Sequence, residues 1–135
     1  MRRSLNRSEY SLSPHLAWNA FIDLLAMSDY SQLTPIQQVA YLVFWYESEV
    51  QNGGHGQYFE NRGIGMLQET LSALEQLGGY SQRNVLSEAF GIFKQNAVEF
   101  NEDPFDKAFH ECSPNIQVLL EQYLKKWFEE FIELK

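Results

Sequence analysis

The eight residues Val39-Ala40-Tyr41-Leu42-Val43-Phe44-Trp45-Tyr46 are apolar or aromatic on every side. Such a segment has to be covered on every side, so the rest of the chain must be built around it. A buried strand is the rival reading, because the run is short and rich in β-favouring side chains. Thr34-Pro35 at its head and Glu47-Ser48-Glu49 behind it favour a helix. A threonine oxygen can accept a bond from a free N–H of the first turn, and proline next to it has no N–H to leave unpaired. Asn52-Gly53-Gly54 should then end the helix, since glycine adopts the backbone that closes one.

The same start signal recurs at Ser13-Pro14, Asp103-Pro104 and Ser113-Pro114. After Pro14, Ala17, Ala20, Phe21, Leu24 and Leu25 share a helical face, and after Pro104 so do Phe105, Ala108, Phe109 and Cys112. Amphipathic stretches run from about Met66 to Leu77 and from Gln82 to Ala97, with Ser81 as a cap for the second. The clearest stripe is the last: Ile116, Leu119, Leu120, Tyr123, Leu124, Trp127, Phe128, Phe131 and Ile132 predict one continuous helix. No alternating strand pattern or internal repeat competes with these. The expected fold is all-α, a single compact domain of six or seven helices around a central apolar helix over residues 13–135. Residues 1–12 are expected to be a basic, poorly ordered tail. The surplus apolar surface of the last helix, or that around Phe105 and Phe109, suggests a homodimer.

Charge narrows the partners. The chain carries 10 Lys and Arg against 18 Asp and Glu, a net charge of −8, yet Arg2, Arg3 and Arg7 stand in the first seven residues. From Ser8 to Asn61 there is no Lys or Arg at all. A domain of this kind is poorly suited to gripping nucleic acid or an anionic membrane through phosphates, and attracts a basic partner instead. No apolar leader follows the N-terminal arginines, and the run at Val39–Tyr46 is far shorter than the roughly 20 residues that span a bilayer. A cytoplasmic protein is expected.

The central helix runs into Glu49-Val50-Gln51-Asn52-Gly53-Gly54-His55-Gly56-Gln57-Tyr58-Phe59-Glu60-Asn61. Glu-Val-x-Asn-Gly-Gly-x-x-Gln-Tyr-Phe-x-Asn resembles the signature of a bacterial family of small helical proteins, the DNA-mimic-protein-like domains, many of them domains of unknown function. The likeness is sharp over residues 49–61 and looser over residues 33–134. Most members place an aromatic residue where this chain has His55 and a polar one where it has Gly56. The resemblance implies a surface covered in carboxylates that occupies the DNA-binding face of a transcription factor.

Two sets of candidate residues follow. Glu49, Asn52, Gly53, Gly54, Gln57, Tyr58 and Asn61 could line a small-ligand pocket, or simply form a helix corner whose amides satisfy the backbone. Glu99, Glu102, Asp103, Asp106 and Glu111, with Glu129, Glu130 and Glu133 on the last helix, are the candidate partner-binding acids, or a solvated face favoured by the helix dipole. Catalysis is not expected. No nucleophile elbow is present, Cys112 lies on an apolar stripe, and the acid pair Glu47/Glu49 fits a helix surface as well as acid–base work. His15, His55, His110 and Cys112 have no metal-ligand spacing, so no metal or other cofactor is expected. The sequence thus points to a non-enzymatic acidic protein that binds a basic or DNA-binding protein, and the resemblance implies that it does so as a DNA mimic. Its alternatives are a small-ligand-binding domain at the Asn-Gly-Gly corner and an immunity-type toxin inhibitor.

Overall fold

Thr34 caps the central helix as its spacing to Gln37 requires. Its Oγ1 accepts from the Gln37 N–H at 3.3 Å, and the Gln37 side chain accepts from the Thr34 N–H at 3.0 Å, with Pro35 in the first turn. In the computed structural model, which describes residues 1–63 and 65–135, this helix is α3, Pro35–Arg62. Before it come β1 (Arg3–Leu5), α1 (Arg7–Leu12), α2 (His15–Met27) and a 3-10 turn at Tyr30–Gln32. After it come α4 (Leu67–Gln76), α5 (Tyr80–Phe93), α6 (Asp103–Glu111), α7 (Ile116–Lys126), α8 (Phe128–Phe131) and β2 (Ile132–Leu134). The fold is all-α, one compact domain, with α3 packed against α2, α4, α5, α6, α7 and α8. Ala40, Val43 and Tyr46 of α3 are fully buried among Phe21, Leu24, Leu74, Leu86 and Phe131. Among the described residues no helix is long and apolar enough to cross a membrane.

The described residues form eight α-helices rather than six or seven, and the extra ones lie at the two ends. The N-terminal segment is not a loose tail. β1 pairs in parallel with β2, Arg3 opposite Ile132 and Leu5 opposite Leu134, and the Lys135 N–H continues the ladder to the Leu5 carbonyl at 2.9 Å. Two of its three arginines are matched by acids, Arg3 meeting Asp23 at 3.0 Å and Arg2 meeting Glu133 at 3.6 Å. The buried Gln37 amide ties both ends together by donating to the carbonyls of Met1 and Glu130. Deleting residues 2–6 should therefore cost about 1–2 kcal/mol in a urea melt, from lost ladder bonds and apolar cover. An unchanged midpoint would show the strand to be ornamental.

The last helix breaks where the stripe predicts continuity. Trp127 leaves helical geometry at φ −116°, ψ 32°, ending α7, and a single turn, α8, leads into β2. The break turns Phe131 (0 % exposed) and Ile132 (1 %) inward, with the Phe131 ring 4.8 Å from that of Phe21. Phe109 is buried, and Trp127, Phe128 and Phe105 pack partly buried against the same core. Of the apolar surface on which the homodimer expectation rests, Phe109, Phe131 and Ile132 are thus buried within one chain, while Trp127, Phe128 and Phe105 keep part of theirs exposed. Of the proline-linked caps only Thr34 acts as one. Ser13 precedes α2 without capping it, Asp103 is the first residue of α6, and Asn115 rather than Ser113 caps α7. Ser81 lies inside α5.

Candidate functional site

The signature residues build a corner inside α3. Gly54 adopts φ 83°, ψ 179°, and the helix restarts beyond it in a new direction. The restarted arm needs acceptors for its first free N–H groups. They come from α6 and the residue before it: Asp106 Oδ1 accepts from the His55 N–H at 3.0 Å, and Glu102 Oε1 accepts from the Gly56 N–H at 2.9 Å. Carboxylates suit the positive end of a helix, so this is N-capping supplied from a distant part of the chain. A Cβ on Gly54 would collide with Glu102 Oε1 and stand 2.5 Å from Asp106 Oδ2, so only glycine allows the approach.

His55 locks the corner from inside. The ring is fully buried, with Nδ1 2.6 Å from Asp106 Oδ1 and Nε2 2.7 Å from the Tyr46 hydroxyl. A neutral ring protonated on Nδ1 satisfies every partner: it donates to Asp106 and accepts from Tyr46. The electrostatics agree. Burial holds His55 below its ordinary pKa, against the smaller opposing pull of Asp106, and burial pushes the Tyr46 hydroxyl well above its own. Tyr46 and His55 are both 0 % exposed, so this Asp–His–Tyr chain ties the two arms of α3 to α6 from inside.

The other signature residues do not converge on one pocket. Asn52 and Gly53 face solvent on the outside of the bend. The Gln57 amide donates to Glu49 Oε1 at 3.3 Å, while Arg62 Nε lies 3.9 Å from Glu49 Oε2 and its guanidinium stacks 3.8 Å from the centre of the Trp45 ring. Tyr58 and Asn61 of the set line a cavity, about 210 Å³ in volume, beside Tyr30, Tyr41, Trp45 and Arg62.

The acids divide as well. Glu102 and Asp106, both partly exposed, are the corner's caps, so two of the expected row of five are engaged by backbone N–H groups. Glu99, Asp103, Glu111 and Glu129 are exposed, and none of them is ion-paired among the described residues. Lys107 is exposed between Asp103 and Glu111 on α6. Glu130 is half-buried, and Glu133 is engaged by Arg2. Sequence spacing missed the Asp106–His55–Tyr46 chain because Asp106 and His55 are 51 residues apart; the hint was a helix restarting after glycine with no cap of its own. No group of three or more His, Cys, Asp or Glu among the described residues is placed to hold a metal ion.

Residues 31–131 match the family model described as DMP19-like protein. The chain belongs to the DMP19-like protein family. No curated protein matches it, and no solved structure does. The DMP19-like span opens in the 3-10 turn and closes at the end of α8, so it contains the glycine corner and both carboxylates that cap it. Seven of the eight candidate acids fall inside the DMP19-like span, Glu133 alone outside it. β1, α1, α2 and β2 lie beyond the match.

Proposed function

We propose that this DMP19-like chain is a non-enzymatic, cytoplasmic acidic binding protein that occupies the DNA-binding face of a transcription factor. The observation that carries the reading is the family match over residues 31–131. The charge supports it: 18 acids against 10 bases give a field that draws a basic surface and repels DNA itself. The pairing pattern sharpens that field. Arg2, Arg3, Arg62 and Arg83 each stand against a neighbouring acid, while Glu99, Asp103, Glu111 and Glu129 stay exposed and unpaired among the described residues.

The contact acids are therefore Glu99, Asp103, Glu111 and Glu129, without Glu102 and Asp106. The double substitution Glu99→Lys/Asp103→Lys should weaken partner binding about tenfold or more and flatten its salt dependence, with the melting temperature almost unmoved. The experiment retains DNA-binding proteins from the host on the immobilised chain at low salt and then competes with operator DNA. Retention that operator DNA reverses supports the reading. If no DNA-binding protein is held, or operator DNA fails to displace it, the reading falls. The cavity at Tyr58, Asn61, Trp45 and Arg62 favours a second reading, a small-ligand site for a planar acid between the aromatic rings and the guanidinium. Ligand-induced quenching of Trp45 fluorescence that is lost in Arg62→Ala would support it.

A further inference from the structure

Glu47 is an acid that neither the corner nor the surface array uses. It lies on α3, directly after the apolar run, and its Oε2 is buried with no hydrogen-bond partner. No ion pair reaches it among the described residues. Glu49 also has a buried, unbonded oxygen, but Arg62 stands 3.9 Å from it. Glu47 has no such cation, and burial alone pushes its carboxyl above the usual range.

The surroundings of Glu47 are hollow. On one side a cavity of about 200 Å³ is walled by Trp18, Ile22 and Phe44, and on the other a cavity of about 190 Å³ is walled by His110, Asn115 and Ile116. Glu47, Gln51 and Gln117 line both, so the carboxylate stands at the junction of an aromatic recess and a polar one along the seam of α3 and α7. A carboxylate only accepts, so whatever completes it must donate. Gln117 gives one N–H of its amide to Glu121 at 3.1 Å, and its carbonyl oxygen is a second acceptor at the recess. Trp18 and Phe44 supply aromatic wall of a kind that attracts a cation and the apolar stem behind it. A half-buried carboxylate with one oxygen cut off from solvent, an amide carbonyl and an aromatic wall together suit a guanidinium or ammonium group on an alkyl chain.

We propose that this recess receives an arginine or lysine side chain of the protein partner, with Glu47 as its counter-charge. The proposal rests on the binding reading above and places one anchoring side chain within it. Glu47 as a whole is half-buried, but its Oε2 is shut off from solvent without a donor, and a cationic side chain entering the recess would supply one.

The test titrates the ¹⁵N-labelled full chain with acetyl-Gly-Arg-Gly-amide and follows the side-chain amide signals of Gln51 and Gln117. Saturable shifts are expected, absent with the norleucine peptide, and about tenfold weaker binding in Glu47→Gln. Glu47→Gln should melt no lower than the parent, which separates lost binding from lost fold. Absence of saturable shifts, or undiminished binding by Glu47→Gln, overturns the proposal. Shifts with free agmatine but not with the peptide overturn it too, since the site would then take a small cation. Retention of a host DNA-binding protein by Glu47→Gln at the parent's strength overturns the recess alone and leaves the mimic reading standing. Glu47-dependent peptide binding by a chain that retains no DNA-binding protein supports the recess while the mimic reading falls.

Discussion

Replacing Gly54 by alanine should cost the fold about 3–5 kcal/mol, a large share of the roughly 5–15 kcal/mol that holds a domain together. With φ 83° and ψ 179°, Gly54 occupies a region that is essentially closed to residues with a side chain, at about 1–3 kcal/mol for the backbone alone. The added methyl would also press on the carboxylates of Glu102 and Asp106. Those are the groups that cap the His55 and Gly56 N–H donors, and each lost cap costs about 1 kcal/mol. Gly53→Ala is the control. Its methyl would meet only Gln57, whose amide end can swing away at the expense of a 3.3 Å bond to Glu49 and whose Cβ, 3.0 Å off, must give by a few tenths of an ångström. Alanine's better helix propensity, up to about 1 kcal/mol, offsets that loss. Urea melts should separate the two variants widely. Equal midpoints would mean that the corner has no need of glycine at its bend.

What the sequence announced was local. The Thr34 cap, the all-round apolar helix and a break at Asn52-Gly53-Gly54 each follow from neighbours within four residues, although α3 bends and restarts at Gly54 where an end is expected. What it concealed depends on partners far along the chain. β1 and β2 look like tail and helix end, because three-residue strands carry no pattern and become strands only by meeting each other. Trp127 continues the apolar stripe, yet the helix breaks there, and β2 beyond it gains β1 as a partner. Glu102 and Asp106 read as surface because acids around a helix start are favoured by the dipole in any case. Spacing along α6 places these side chains around the axis but does not show that another helix end needs them. The candidate site was therefore legible as residue types and misplaced as geometry: acids expected on the outside serve the inside.

Removing the Asp106 side chain should distinguish the two kinds of acid before any partner is known. Asp106 Oδ1 accepts from both the His55 N–H and the His55 ring. Asp106→Ala leaves two donors without acceptors beside a fully buried ring, at about 1–3 kcal/mol each, so a loss near ~3 kcal/mol is expected. Asp106→Asn keeps an acceptor oxygen and should recover most of it. The pH dependence carries its own signature. His55 in the folded chain lies below its ordinary value, so on acidification the unfolded chain takes up its proton first. Stability contributed by the neutral ring is complete above about pH 6.5 and declines as pH falls through that value toward the folded pKa. Asp106 opposes the shift, so its loss drives the folded value lower and extends the decline further into acid. Urea midpoints measured from about pH 8 down to about pH 5 should therefore diverge between parent and Asp106→Ala, while Glu99→Lys/Asp103→Lys tracks the parent. If Asp106→Ala proved as stable as the parent across that range, Asp106 would belong with the exposed acids after all, and the row from Glu99 to Glu111 would regain it as a contact residue.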